Sequence, residues 1–106
     1  MKRLPVFLAP TAEDDLATIG HLIIDNGADP LVAVRYLQRI RARCRTIGDS
    51  PRGGVERSDL GEGIRLVPFE RSAVILYRIE DDQVLIETVI YGGRDYAALI
   101  GTPPSP

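Results

Sequence analysis

The chain has one cysteine, one histidine and one lysine among its 106 residues. A single cysteine closes no internal disulfide, and without Cys/His pairs at ligand spacing a structural zinc site is excluded. The histidine, His21, projects about 140° from the centre of the apolar face of its helix, which assigns it to solvent and leaves no catalytic triad. No run of about 18 apolar residues exists to cross a bilayer. Pro5 and Pro10 interrupt an N-terminal apolar stretch already too short for a secretory leader. Nothing matches G-x-x-x-x-G-K-[ST], so Gly53-Gly54 carries no nucleotide signal. These absences lead us to expect a cytoplasmic protein with no metal and no cofactor. At this length folding removes roughly 65% of the unfolded chain's surface, enough for one modest core. We expect one domain over residues 1–100 and a disordered, proline-rich tail over 101–106.

Arginine is what the chain does have. Twelve of the 13 basic residues are arginine, and residues 31–57 hold seven of them against Asp49 and Glu56, although the net charge of the chain is −2. Arginine pairs with carboxylate or phosphate in a bidentate fork and tolerates partial burial better than lysine. Two readings fit this face: an anionic partner, or a solvated helix surface.

Leu4 to Ala9, bounded by turn formers, suits a first strand. Thr11, with Asp14 three residues on, is placed to cap a first helix, whose inward face is Leu16, Ile19, Gly20 and Ile23. Asn26-Gly27 supplies a left-handed stop, and Asp29-Pro30 the cap and first residue of a second helix. So short a connection makes the two helices antiparallel neighbours. In the second helix Ala33, Leu37, Ile40, Cys44 and Ile47 form an apolar stripe about 80° wide, opposite an arginine face. Cys44 lies in that stripe, as a small core residue rather than a nucleophile.

Gly48 to Gly63 holds half of the ten glycines and no periodicity, so it reads as a long loop, either functional or a plain tether. Ile64 to Phe69, Ala73 to Ile79 and Val84 to Tyr91 are strands by their β-branched and aromatic content, and the short turns between them require antiparallel pairing. Continuous apolar runs such as Ala73-Val74-Ile75-Leu76-Tyr77 imply that much of the second face of the sheet is covered as well. The paired carboxylates Asp14-Asp15 and Asp81-Asp82 suit capping and turns rather than acid/base chemistry.

The helical hairpin, Ser50-Pro51 followed by Gly53, Gly63-Ile64-Arg65, Val74-Ile75-Leu76-Tyr77-Arg78, and Val89-Ile90-Tyr91-Gly92-Gly93-Arg94-Asp95 together resemble the ParE toxins of type II toxin–antitoxin systems. The resemblance runs from Thr11 to Leu99. It implies an α+β fold in which an N-terminal strand and an antiparallel helical hairpin accompany a twisted antiparallel sheet. It also implies a growth-inhibiting toxin of plasmid-stabilisation type that poisons DNA gyrase and is held inactive by a ParD-like antitoxin. Neither a membrane nor sequence-specific DNA binding by this chain alone is implied.

The related RelE ribonucleases cut mRNA by 2′-OH attack, which needs groups that move a proton and cations that stabilise the phosphorane. With the two patterns superposed on Tyr77, the RelE arginine three residues earlier becomes Val74, a lysine position falls on Arg65, the second arginine on Arg94 and the C-terminal tyrosine on Ile100. A non-enzymatic toxin is therefore expected. Arg94, Tyr91, Tyr96 and Arg65 are the expected target contacts, and Arg35, Arg39, Arg41, Arg45, Arg52 and Arg57 the expected antitoxin contacts. Were the chain a ribonuclease instead, Arg65, Arg94 and Tyr96 would carry the chemistry. A protein-interaction module without toxicity is the third reading.

Overall fold

A computed structural model describes residues 3–92. Strand β1 (Val6–Leu8) leads into helices α1 (Pro10–Asp25) and α2 (Pro30–Ile47). A two-residue strand β2 (Val55–Glu56) and a short 3-10 turn (Ser58–Leu60) precede the meander β3 (Arg65–Phe69), β4 (Ala73–Glu80) and β5 (Gln83–Tyr91). The sheet order is β1-β5-β4-β3-β2. All pairings are antiparallel except that of β1, which lies parallel to β5 with Val6 beside Val84. The α+β architecture expected from the sequence is thus the one observed, with β1 making the sheet mixed. The expected tail over 101–106 lies outside the described residues.

α1 starts differently from the expectation. Its N-cap is Ala9, with no side-chain cap, and Pro10 takes the first helical position, where no N–H is needed. Thr11 lies inside the helix and its hydroxyl donates to the Glu87 carbonyl at 2.6 Å, tying α1 to β5. Beyond Asn26, Gly27 adopts φ +96° and ends α1, and the Asp29 carboxylate accepts the Leu31 N–H at 2.7 Å to start α2. The helices run antiparallel: Glu13 meets Arg41, and Gly20 lies so close to Leu37 that an added Cβ would sit 3.2 Å from its Cδ1.

One core lies between the hairpin and the sheet. α1 contributes Ala12, Leu16, Ile19 and Ile23, α2 contributes Ala33, Tyr36, Ile40, Cys44 and Ile47, and the sheet contributes Val67, Phe69, Ala73, Ile75, Tyr77, Val84, Ile86 and Val89. Each fully buried aliphatic or aromatic side chain of this set is worth about 1.5–3 kcal/mol. The α2 stripe differs from the expected one by a flank: Leu37 is half-buried beside α1, and Tyr36 is buried in its place. Ile64, Leu66, Val74 and Leu76 form a second buried cluster, so part of the other face of the sheet is covered as well, while Pro68 and Ile90 on that face are exposed.

The connection from Gly48 to Gly63 is not the structureless loop its composition suggests. Val55 and Glu56 pair with Leu66 and Arg65 as an edge strand. The segment before them is fastened by Tyr77, whose buried hydroxyl donates to the Pro51 carbonyl at 2.7 Å and accepts the Gly54 N–H at 3.0 Å. A Cβ on Gly54 would lie 2.5 Å from that hydroxyl oxygen, so only glycine fits there. Both hairpin turns force non-glycine residues into the left-handed region: Glu70 and Arg71 at φ 47° and 55°, Asp81 and Asp82 at 49° and 60°. Such turns match the twist of the flanking strands, at a conformational cost for residues bearing a Cβ.

Candidate functional site

Two regions gather the residues singled out by the sequence: the arginine face of α2, and the end of the sheet where β5 leaves the core. On α2 the arginines fall into two rows by helical spacing, Arg35, Arg39 and Arg43 on one flank, Arg41 and Arg45 on the other. Several are already engaged. The Arg39 fork is bidentate with Glu70 in the β3–β4 turn, at 2.7 and 3.0 Å. The Arg41 fork takes Glu13 of α1 at 2.7 and 3.3 Å. Arg57 pairs with Asp59 at 2.8 and 2.9 Å. Hydrogen bonds from these guanidiniums hold the Glu70, Glu13 and Asp59 carboxyls below the usual carboxylate range and raise the three arginines in return. Of the six expected antitoxin contacts, Arg35, Arg45 and Arg52 are exposed outside these pairs. Arg52 also lines a cavity of about 310 Å³ walled by Leu4, Pro51 and Ile79.

Along the crest between the arginine rows, Leu31 and Val34 are exposed, as is Ile24 at the end of α1. The surface is therefore an apolar crest flanked by five arginines, two of which are neutralised internally. Sequence reading could not see this cancellation. Glu13 and Arg41 are 28 positions apart and Arg39 and Glu70 are 31 apart, so only the fold brings them together.

At the other region Tyr36 is the organising residue, and it was missed because it sits on the edge of the α2 stripe. Its ring meets Phe69 and Tyr91 edge-on at centroid distances of 5.4 and 5.7 Å. The Arg39 guanidinium lies 5.6 Å above it. Its hydroxyl is 2.7 Å from Ser72 Oγ, and burial pushes its pKa up. Ser72 in turn accepts the Gly92 N–H on its carbonyl at 2.9 Å, fixing the last described residue of the chain. Tyr91, an expected target contact, is thus half-buried against the core. Arg94 and Tyr96 lie outside the described residues.

Arg65, also expected to meet the target, reaches back to the loop after α2: its Nη1 donates to the Arg52 and Gly54 carbonyls at 3.1 and 3.0 Å. Val74 is fully buried in the second cluster. Next to that cluster Arg78 Nε lies 2.8 Å from Glu87 Oε1, but its N–H does not align with that oxygen, so the contact is an ion pair rather than a hydrogen bond. His21 is exposed, as expected. Among the described residues, no helix is long and apolar enough to cross a membrane.

The model of the ParE toxin of type II toxin–antitoxin systems matches residues 6–96. The chain belongs to the ParE toxin family. It is a type II toxin of the ParE/RelE group, and its fold is shared by solved structures of that group. A chromosomal ParDE toxin–antitoxin system from P. aeruginosa superposes with a TM-score of 0.73 at 18% identity, covering 84% of this chain and 96% of the other. The toxin–antitoxin complex RelBE2 from Mycobacterium tuberculosis gives 0.59 at 20% identity, over 86% of this chain and 100% of the other. At these identities the likeness speaks for the fold alone. Among curated proteins none matches the sequence significantly.

Proposed function

We propose that this ParE-family chain inhibits DNA gyrase rather than cutting mRNA, and that a ParD-like antitoxin neutralises it. The observation that carries the choice is the state of the sheet. Ribonuclease chemistry needs cations and a proton donor presented to a scissile phosphate. Here the position of one such cation is Val74, with none of its surface exposed, and Arg65 spends its Nη1 on two backbone carbonyls. Arg78 faces Glu87 instead of solvent phosphate. The described sheet offers a binding platform more readily than a reaction centre.

An antitoxin partner is supported by family membership and by the exposed apolar residues Leu31 and Val34 beside Arg35 and Arg45. Tyr91 at the end of β5 and, further along the sequence, Arg94 and Tyr96 remain the proposed target contacts. The paired experiment compares gyrase supercoiling with mRNA cleavage on translating ribosomes, using wild type and Arg94→Ala. We expect the wild type to block supercoiling and leave mRNA intact, with inhibition weakened in the variant while the fold and antitoxin binding persist. Codon-positioned cleavage by the wild type, lost in Arg94→Ala, would make the chain a ribonuclease and overturn the proposal.

A further inference from the structure

Seven arginines between residues 31 and 57 are an electrostatic footprint on which RNA or DNA would ordinarily settle, since neutralising phosphates releases condensed counterions. In this fold two of the helix's five arginines are taken by carboxylates that the chain supplies from opposite sides, Glu13 from α1 and Glu70 from the β3–β4 turn. Both contacts are bidentate, so the donor geometry that a phosphate would use is filled. Glu70 holds its place although it sits at φ 47°, in a backbone region that residues with a Cβ rarely adopt. We propose that Glu13 and Glu70 are internal competitors that keep α2 from binding nucleic acid and so reserve it for a protein segment carrying apolar anchors and few carboxylates.

The occupant follows from what is left. Of the other three arginines, Arg43 donates to Thr46 Oγ1 at 2.7 Å, while Arg35 and Arg45 are ten residues apart, about 15 Å along the helix, with Leu31, Val34, Gln38 and Ala42 on the crest nearby. A segment that fits places two carboxylates about that far apart and apolar side chains beyond the one that meets Arg35, over Leu31 and Val34, a pattern available to a peptide and not to an evenly charged phosphate backbone. The identity of the segment rests on the antitoxin reading given above. The masking of the helix does not.

The test titrates a fluorescein-labelled 30-nucleotide single-stranded RNA against wild type, the double variant Glu13→Gln/Glu70→Gln, and the charge-matched control Asp81→Asn/Asp82→Asn, each from 50 to 200 mM salt. The control removes the same two negative charges without releasing an arginine. Wild type and control should bind weakly and alike. The double variant should bind at least about tenfold more tightly at 50 mM salt. Its slope of log K against log salt should steepen by roughly 1.4, that is, about 0.7 for each of two added phosphate contacts. Should the double variant fail to fold, each single variant is expected to steepen the slope by about half as much. Tight, steeply salt-dependent RNA binding by the wild type, or equal binding by the double variant and the control, would overturn the masking. Co-purification of wild type with a ParD-like antitoxin is scored separately, so absence of that complex would remove the partner while the RNA titration still decides the rest.

Discussion

Removing one oxygen atom from the centre of this molecule should cost it a large part of its stability. The Tyr77 hydroxyl is buried, and it both donates to the Pro51 carbonyl and accepts the Gly54 N–H. Tyr77→Phe keeps the ring and leaves those two backbone groups without a partner. Each unmade bond of this kind costs about 1–3 kcal/mol where water cannot reach, less where it can. Pro51 is buried and Gly54 half-buried, which places the sum at about 2–3 kcal/mol. For a domain of this size each kcal/mol moves the melting midpoint by roughly 4–8 °C, so we expect Tm to fall by roughly 10–20 °C. Urea unfolding should show a lower midpoint at an unchanged slope. Gly54→Ala tests the same contact from the other side, because its methyl would sit 2.5 Å from the hydroxyl oxygen. In the Tyr77→Phe background the contact with the oxygen is gone, although ring Cε1 and Cζ still lie 2.9 and 3.0 Å from that methyl, so the double variant should be less destabilised than the sum of the singles by about 0.5–1 kcal/mol. Strict additivity, or a loss under about 0.5 kcal/mol for Tyr77→Phe, would show that the hydroxyl does not hold the loop.

Asp82 lies at φ 60° in a two-residue turn and its side chain has no hydrogen-bond or ion-pair partner among the described residues, so Asp82→Gly should raise stability by about 0.5–1 kcal/mol in chemical denaturation; a loss would mean that the carboxylate serves the turn. Burial pushes the Cys44 thiol up to about 11 against the opposing pull of Arg41, Arg43 and Arg45. Alkylation by iodoacetamide should therefore be slow at pH 8, and rapid modification of the folded protein would contradict the burial. Because the folded value lies above the ordinary 9.0, the stabilisation from keeping Cys44 neutral is complete below pH 9 and is lost as pH rises towards 11. Cys44→Ala should abolish that alkaline loss while costing on the order of 1 kcal/mol at neutral pH.

The helical hairpin was legible because its punctuation is local. Asn26-Gly27 and Asp29-Pro30 end one helix and begin the next within five residues, and the structure uses them that way. The meander was legible for the same reason, each turn lying between two runs of β-branched residues. Thr11 was misread because Pro10 beside it satisfies the helix start without a cap, which frees the hydroxyl for Glu87. β2 was invisible because Val55 and Glu56 are extended only by virtue of Leu66 and Arg65 alongside, with no pattern of their own. The site was legible only as a list of arginines. Which of them are available depends on Glu13, Glu70 and Asp59, and two of those three partners come from elsewhere in the chain.

The parallel seat of β1 has a consequence for how this toxin comes into being. Val6, Phe7 and Leu8 lie beside Val84, Leu85 and Ile86, so β1 finds its strand partner 78 residues further along the chain. The hairpin and the meander can close on contacts between adjacent segments. The seam between β1 and β5 waits until the meander has been made. Loop-closure entropy makes such distant pairing the slow part of assembly. Until residue 86 has been made, this part of the chain has only the end of α2 to lean on, through the Leu4 N–H on the Gly48 carbonyl, and translation itself sets the earliest moment at which the sheet can be complete.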